Sequence, residues 1–88
     1  MQRITILGAT GSIGTNTLDV IHRHRDRYQV IALCAHRQID KLFDQCMAFS
    51  PRYAVVENAL LAKRLQEKLK AAGSATQVEY GEDALVRM

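Results

Sequence analysis

Three glycines stand at every third position in Leu7-Gly8-Ala9-Thr10-Gly11-Ser12-Ile13-Gly14. Between a buried strand and a helix, glycines so spaced serve phosphate binding. The first lets the chain leave the strand sharply, the second lets backbone come close to a pyrophosphate, and the third lets the helix lie against the sheet. Free amides of the first helical turn, around Ser12 and Ile13, then face the ligand and favour negative charge. The hydroxyls of Thr10 and Ser12 add two possible donors. The usual dinucleotide fingerprint is G-x-G-x-x-G, so G-x-x-G-x-x-G is a variant whose weight rests on its strand-to-helix context. A plain helix cap at Ser12 would need no such run of glycines. A nucleoside triphosphate P-loop is excluded, because no Gly-Lys-Ser/Thr follows.

The second chemically informative segment is Ala35-His36-Arg37-Gln38. An NAD site usually places Asp or Glu at the end of the second strand, about 20 residues past the glycines, to hold the ribose hydroxyls. Arg37 occupies that place. Its charge and forked donors suit the 2′-phosphate of NADP; the alternative is a solvated loop arginine. Asp40 is close in sequence but belongs to the next helical stripe.

Other reactive side chains carry less. Cys34 and Cys46 lack CxxC spacing and sit among apolar residues, as reduced, buried thiols do. His22-Arg23-His24-Arg25-Asp26-Arg27 holds much of the basic excess behind the net charge of +3. No aromatic residues interleave it, so it reads as a solvated helix end complementing the helix dipole and not as a nucleic-acid patch. Glu57, Asp83 and the histidines read as surface residues.

The elements that must carry these groups alternate in kind. Arg3–Leu7, Tyr28–Ala35, Tyr53–Val56 and Thr76–Tyr80 read as strands. The first helix opens at Ser12, with Ile13, Thr17, Leu18 and Ile21 on one face, and fades into the basic segment near Arg27. Ile39, Leu42, Phe43 and Cys46 form a helical stripe that ends at Ser50-Pro51. Leu61, Leu65, Leu69 and Ala72 mark a third helix stopped by Gly73. Gly81-Glu82-Asp83 opens a further helix whose periodic run, Ala84 to Met88, meets no stop. That run suggests a piece of a longer protein. Alternating strands and helices with short links imply parallel strands and right-handed crossovers, with helices on both faces: an α/β, doubly wound parallel sheet, Rossmann-like and truncated. The 88 residues are read as the first part of a dinucleotide-binding domain, with catalytic and C-terminal domains absent. Hydrophobic residues make up 48% and charged residues 24%, a globular and not a disordered balance. No apolar run reaches the roughly 20 residues of a membrane span, and with no leader-like start the expectation is a cytoplasmic protein.

Thr5 to Gly14, followed by Thr17-Leu18-Asp19-Val20-Ile21, closely resembles the start of 1-deoxy-D-xylulose 5-phosphate reductoisomerases, and Gln45-Cys46 with Phe49 to Val56 is similar to that family's approach to its third strand. The resemblance spans essentially the whole chain. It implies an oxidoreductase of non-mevalonate isoprenoid biosynthesis that uses NADPH and a divalent metal (magnesium, manganese or cobalt). Such enzymes rearrange 1-deoxy-D-xylulose 5-phosphate and reduce the product to 2-C-methyl-D-erythritol 4-phosphate. Carried over by motif, the cofactor residues are Thr10, Gly11, Ser12 and Ile13, with His36, Arg37 and Gln38 at the second strand. There the family often has Gly-Lys-Asn, so Arg37 keeps the charge and Gln38 the amide, while His36 departs from a glycine. The resemblance implies a homodimer acting on a phosphorylated sugar, without nucleic acid or membrane. It places catalytic and metal residues outside this chain, so these 88 residues alone are expected to be inactive. Competing readings are an NADP-dependent semialdehyde or acyl-phosphate dehydrogenase, and a non-catalytic dinucleotide sensor.

Overall fold

The computed structural model describes residues 2–81. Four strands, β1 (Gln2–Leu7), β2 (Tyr28–Cys34), β3 (Tyr53–Val56) and β4 (Gln77–Tyr80), alternate with three helices, α1 (Ser12–Arg23), α2 (Ile39–Phe49) and α3 (Ala59–Ala71). The strands form one sheet in the order β1-β2-β3-β4, with every neighbouring pair parallel. The expected α/β architecture is therefore present. The further helix expected from Gly81-Glu82-Asp83 lies outside the described residues.

The helices differ from the expectation in their placement. Each crossover steps the same way along the sheet, and right-handed crossovers in one direction stack their helices on one face. Side chains of α1, α2 and α3 (Leu18, Ile21, Leu42, Cys46, Leu65, Leu69) accordingly join Ile6, Val30, Leu33, Ala54 and Val56 of the strands in a single core. Among the described residues the other face carries no helix. Cys34 and Val55 are packed together there, while Leu7 at the sheet's outer strand is 70% exposed. The register shift between Ile4 and Thr5 of β1 leaves Ile31 of β2 unpaired, and this extra residue puts both Val30 and Leu33 on the core side.

Several boundaries move for local reasons. α1 stops at Arg23, earlier than expected, because the chain turns: His24 donates to the Ile21 carbonyl and Arg27 to that of His24. Leu18 and Ile21 face the core, as their spacing requires. Ile13 and Thr17 do not: Ile13 is 84% exposed, and the Thr17 hydroxyl donates back to the Ile13 carbonyl at 2.8 Å. The basic segment is structural in part. Arg25 lies over the Phe49 ring, 4.8 Å from its centre, and donates to the Ala48 carbonyl, which ties the ends of α1 and α2 together. α3 closes as the sequence indicates. Gly73 is left-handed (φ 78°), its amide bonds the Lys70 carbonyl, and that of Ser74 bonds the Leu69 carbonyl, the paired arrangement that satisfies the last carbonyls of a helix.

Candidate functional site

All four strands point their carboxyl ends at one edge. There Leu7, Gly8, Cys34, Ala35, His36, Val55, Val56, Glu57 and Gly81 line a crevice of about 380 Å³. Ligands of open parallel sheets bind outside this edge. A roomier cavity of about 620 Å³ lies toward the amino ends of the strands, beside Arg3, Gln29, Arg52 and Thr76. Among the described residues its helical lining comes from the C-terminal ends of α2 and α3, so they give it none of the amide donors that make the first edge an anion site.

The glycine turn joins β1 to α1 at the crevice. The Ala9 amide still bonds the Cys34 carbonyl of β2 at 2.8 Å, so the turn is fastened to the sheet. Gly8 has φ 67°, the left-handed region that glycine enters without a Cβ penalty. Gly14 is needed for a different reason: a Cβ there would stand 2.3 Å from the Gly8 carbonyl oxygen and 2.7 Å from the Ala9 Cα. Helix and turn touch at that point, and both contacts are backbone.

Gly11 has neither requirement. Its φ is −79°, open to any residue, and a Cβ would meet only the Gly8 oxygen at 3.4 Å. Nothing among the described residues excludes a side chain from this position, which is the condition expected of a glycine kept bare for a ligand. Gly11 is also the N-cap of α1, with no side-chain cap hydrogen bond. The first helical amide with a backbone acceptor is that of Thr15, bonded to the Gly11 carbonyl at 2.9 Å. The amides of Ser12, Ile13 and Gly14 have no acceptor among the described residues. The turn thus presents three donors at the positive end of a helix dipole.

α2 holds this turn from behind. Lys41 Nζ donates to the Thr10 carbonyl at 2.8 Å, and Gln45 Nε2 donates to the Ala9 carbonyl at 2.7 Å. Gln45 Oε1 is buried without a partner among the described residues. These two clamps, more than 30 residues from the turn in sequence, were not legible beforehand. The two groups of expected cofactor residues are both at the crevice edge. Thr10, Gly11, Ser12 and Ile13 form the turn and the first residues of α1; His36, Arg37 and Gln38 link β2 to α2, with Gln38 as the N-cap of α2. His36, Arg37 and Gln38 are all exposed.

Glu57 is exposed, as the surface reading expects, and the structure also gives it a place in the site. Its carboxylate accepts from Arg37 Nε at 3.0 Å, while its own amide bonds the His36 carbonyl at 3.1 Å. The pairing joins the ends of β2 and β3, a contact no local pattern could reveal. Cys34 in the crevice wall and Cys46 in the core are both free and buried. Burial pushes their thiols up, to about 11 and about 12, so at neutral pH both are protonated and poorly nucleophilic. Among the described residues no group of three or more His, Cys, Asp or Glu side chains could hold a metal ion, and no helix is long and apolar enough to cross a membrane.

This geometry has close relatives. The profile of the 1-deoxy-D-xylulose 5-phosphate reductoisomerase family matches residues 4–88. The chain is 57% identical over 88 residues to the reductoisomerase of Dechloromonas aromatica, covering 100% of this chain and 22% of the relative. It is 64% identical over 85 residues to that of Cupriavidus metallidurans, covering 97% and 22%. Among solved structures it resembles the Zymomonas mobilis reductoisomerase in complex with NADPH (46% identity, TM-score 0.89, 98% of this chain and 22% of that one). It also resembles a DOX-P reductoisomerase in complex with NADPH, fosmidomycin and magnesium (36% identity, TM-score 0.92, 98% and 21%). The chain therefore spans about a fifth of the length of the relatives it matches. On the match of its sequence from end to end, this chain belongs to the 1-deoxy-D-xylulose 5-phosphate reductoisomerase family.

Proposed function

We propose that this chain is the NADPH-binding part of an enzyme that converts 1-deoxy-D-xylulose 5-phosphate to 2-C-methyl-D-erythritol 4-phosphate. The observation that carries the binding role is the α1 N-terminus: bare Gly11, no side-chain cap, and three amides without acceptors. A pyrophosphate would satisfy those amides, with the Thr10 and Ser12 hydroxyls within the same turn and exposed Ile13 offering an apolar contact. Arg37 would take the 2′-phosphate through its free Nη atoms, flanked by His36 and Gln38. The bound cofactor supplies the hydride; the residues of this chain bind and orient it.

The rest of the reaction belongs to groups outside the described residues. The relative bound to magnesium supports a divalent metal in the whole enzyme; manganese shares its preference for oxygen ligands, and cobalt is the third ion that the family resemblance implies. A phosphorylated sugar substrate, a homodimer and a cytoplasmic location complete the reading, with residues 1–88 as the first part of the dinucleotide-binding domain. The binding assignment is tested with Arg37→Ala, by titrating NADPH and NADH into the full protein that carries this chain. Because Arg37 is 80% exposed, the expected loss is about 1–2 kcal/mol, roughly five- to thirtyfold, for NADPH only. An equal loss for both cofactors would overturn the assignment.

A further inference from the structure

Arg37 reaches out from a loop and has a side chain 80% exposed to solvent. An arginine so placed samples many rotamers, and a site that depended on it would have to order it at each binding event. One contact opposes this. Nε donates to Glu57 Oε2 at 3.0 Å, and no other side-chain atom of Arg37 has a partner among the described residues. The end of the fork, Nη1 and Nη2, is left free for a second anion.

Glu57 is itself fixed on both sides. Its amide bonds the His36 carbonyl, and the next residue, Asn58, caps α3 by accepting from the Leu61 amide at 3.0 Å. Glu57 also lines the crevice at the carboxyl ends of the strands. Its carboxylate is thus the one described group that holds the Arg37 guanidinium at the mouth of that crevice.

We propose that Glu57 is a positioning residue for cofactor selectivity: it holds Arg37 by Nε so that the outer edge of the guanidinium meets a ribose 2′-phosphate. This rests on the reading of Arg37 as the 2′-phosphate ligand. The pairing also offsets the charge of the Glu57 carboxylate beside a phosphorylated cofactor.

The test measures dissociation constants of NADPH and NADH for the full protein that carries this chain, as the variants Glu57→Ala, Glu57→Gln, Arg37→Ala and the double variant Glu57→Ala/Arg37→Ala. Exposed ion pairs are worth little, so Glu57→Ala is expected to weaken NADPH about three- to fivefold and to leave NADH within about twofold. Glu57→Gln, whose amide oxygen still accepts from Nε, is expected to keep most of the preference. In the Arg37→Ala background the Glu57→Ala change should have no further effect. The proposal is overturned if Glu57→Ala leaves the NADPH-to-NADH ratio unchanged or raises it. It is equally overturned if the effect persists without Arg37, or if Glu57→Gln fails as badly as Glu57→Ala. If Arg37→Ala itself leaves the ratio untouched, the reading of Arg37 fails, and the proposal with it; a response to Arg37→Ala alone removes only the role of Glu57.

Discussion

Gly11 and Gly14 are three residues apart in one turn, yet the structure gives them opposite sensitivities to a single methyl group. In Gly14→Ala the new Cβ would stand 2.3 Å from the Gly8 carbonyl oxygen and 2.7 Å from the Ala9 Cα. That is about an ångström inside ordinary contact, against backbone fastened to β2 through the Ala9 amide and to α2 through Gln45 and Lys41. Overpacking of this kind costs typically 1–3 kcal/mol, and the stiff surroundings point to the upper end. The better helix propensity of alanine returns up to about 1 kcal/mol. The net loss is about 1–2 kcal/mol, or very roughly 4–16 °C in Tm for a domain of this size. In Gly11→Ala the Cβ meets only the Gly8 oxygen at 3.4 Å and φ is already −79°. Stability should fall by less than about 1 kcal/mol, the cost of a poorer cap residue. If Gly11 is bare for the ligand's sake, the methyl group at this N-cap instead crowds the pyrophosphate, and NADPH affinity should fall at least about tenfold, equivalent to about 1.4 kcal/mol. Thermal melts and cofactor titrations of the two variants, side by side, separate the effects. If Gly11→Ala melts as early as Gly14→Ala while its folded fraction binds NADPH normally, the bare N-cap is a folding device and the reasoning fails.

Two further outcomes follow from the same geometry. Neutralising Arg23, Arg25 and Arg27 should lower Tm slightly through loss of the Arg25 contacts to Phe49 and Ala48. It should leave NADPH affinity within about twofold, because α1 separates that segment from the turn by roughly 15 Å and salt screens charges over about 8–10 Å; a larger change would give the segment a role in binding. Burial raises Cys34 and Cys46 from an ordinary 9.0 to about 11 and about 12, so folding favours the neutral thiols. Their contribution to stability is complete below pH 9 and is lost as pH rises through the folded values. Replacing both with alanine or serine should flatten the alkaline limb of a stability-versus-pH curve above about pH 9, and an unchanged limb would contradict the assignment.

Much of the fold was legible because its signals are local. The β-branched run before Gly8, the stripe of Ile39, Leu42, Phe43 and Cys46, and the stop at Gly73 each declare themselves within a few residues, and each element is present. Ile13 misled because an apolar residue at a helix start fits the core period, although here it is exposed at the first turn of α1. That all three described helices share one face follows from strand order, which periodicity does not encode. The site divides in the same way. The glycine turn and Arg37 could be read from spacing, whereas Glu57, Lys41 and Gln45 reach it through contacts 20, 31 and 36 residues away.

The most direct test of the central claim is to follow the backbone amides of the full protein that carries this chain by ¹⁵N NMR while NADPH is added. The amides of Ser12, Ile13 and Gly14 should shift with both NADPH and NADH, and those of His36, Arg37 and Gln38 should shift more strongly with NADPH. Shifts confined to the cavity beside Arg3, Arg52 and Thr76, with the α1 amides unmoved at saturating cofactor, would contradict it.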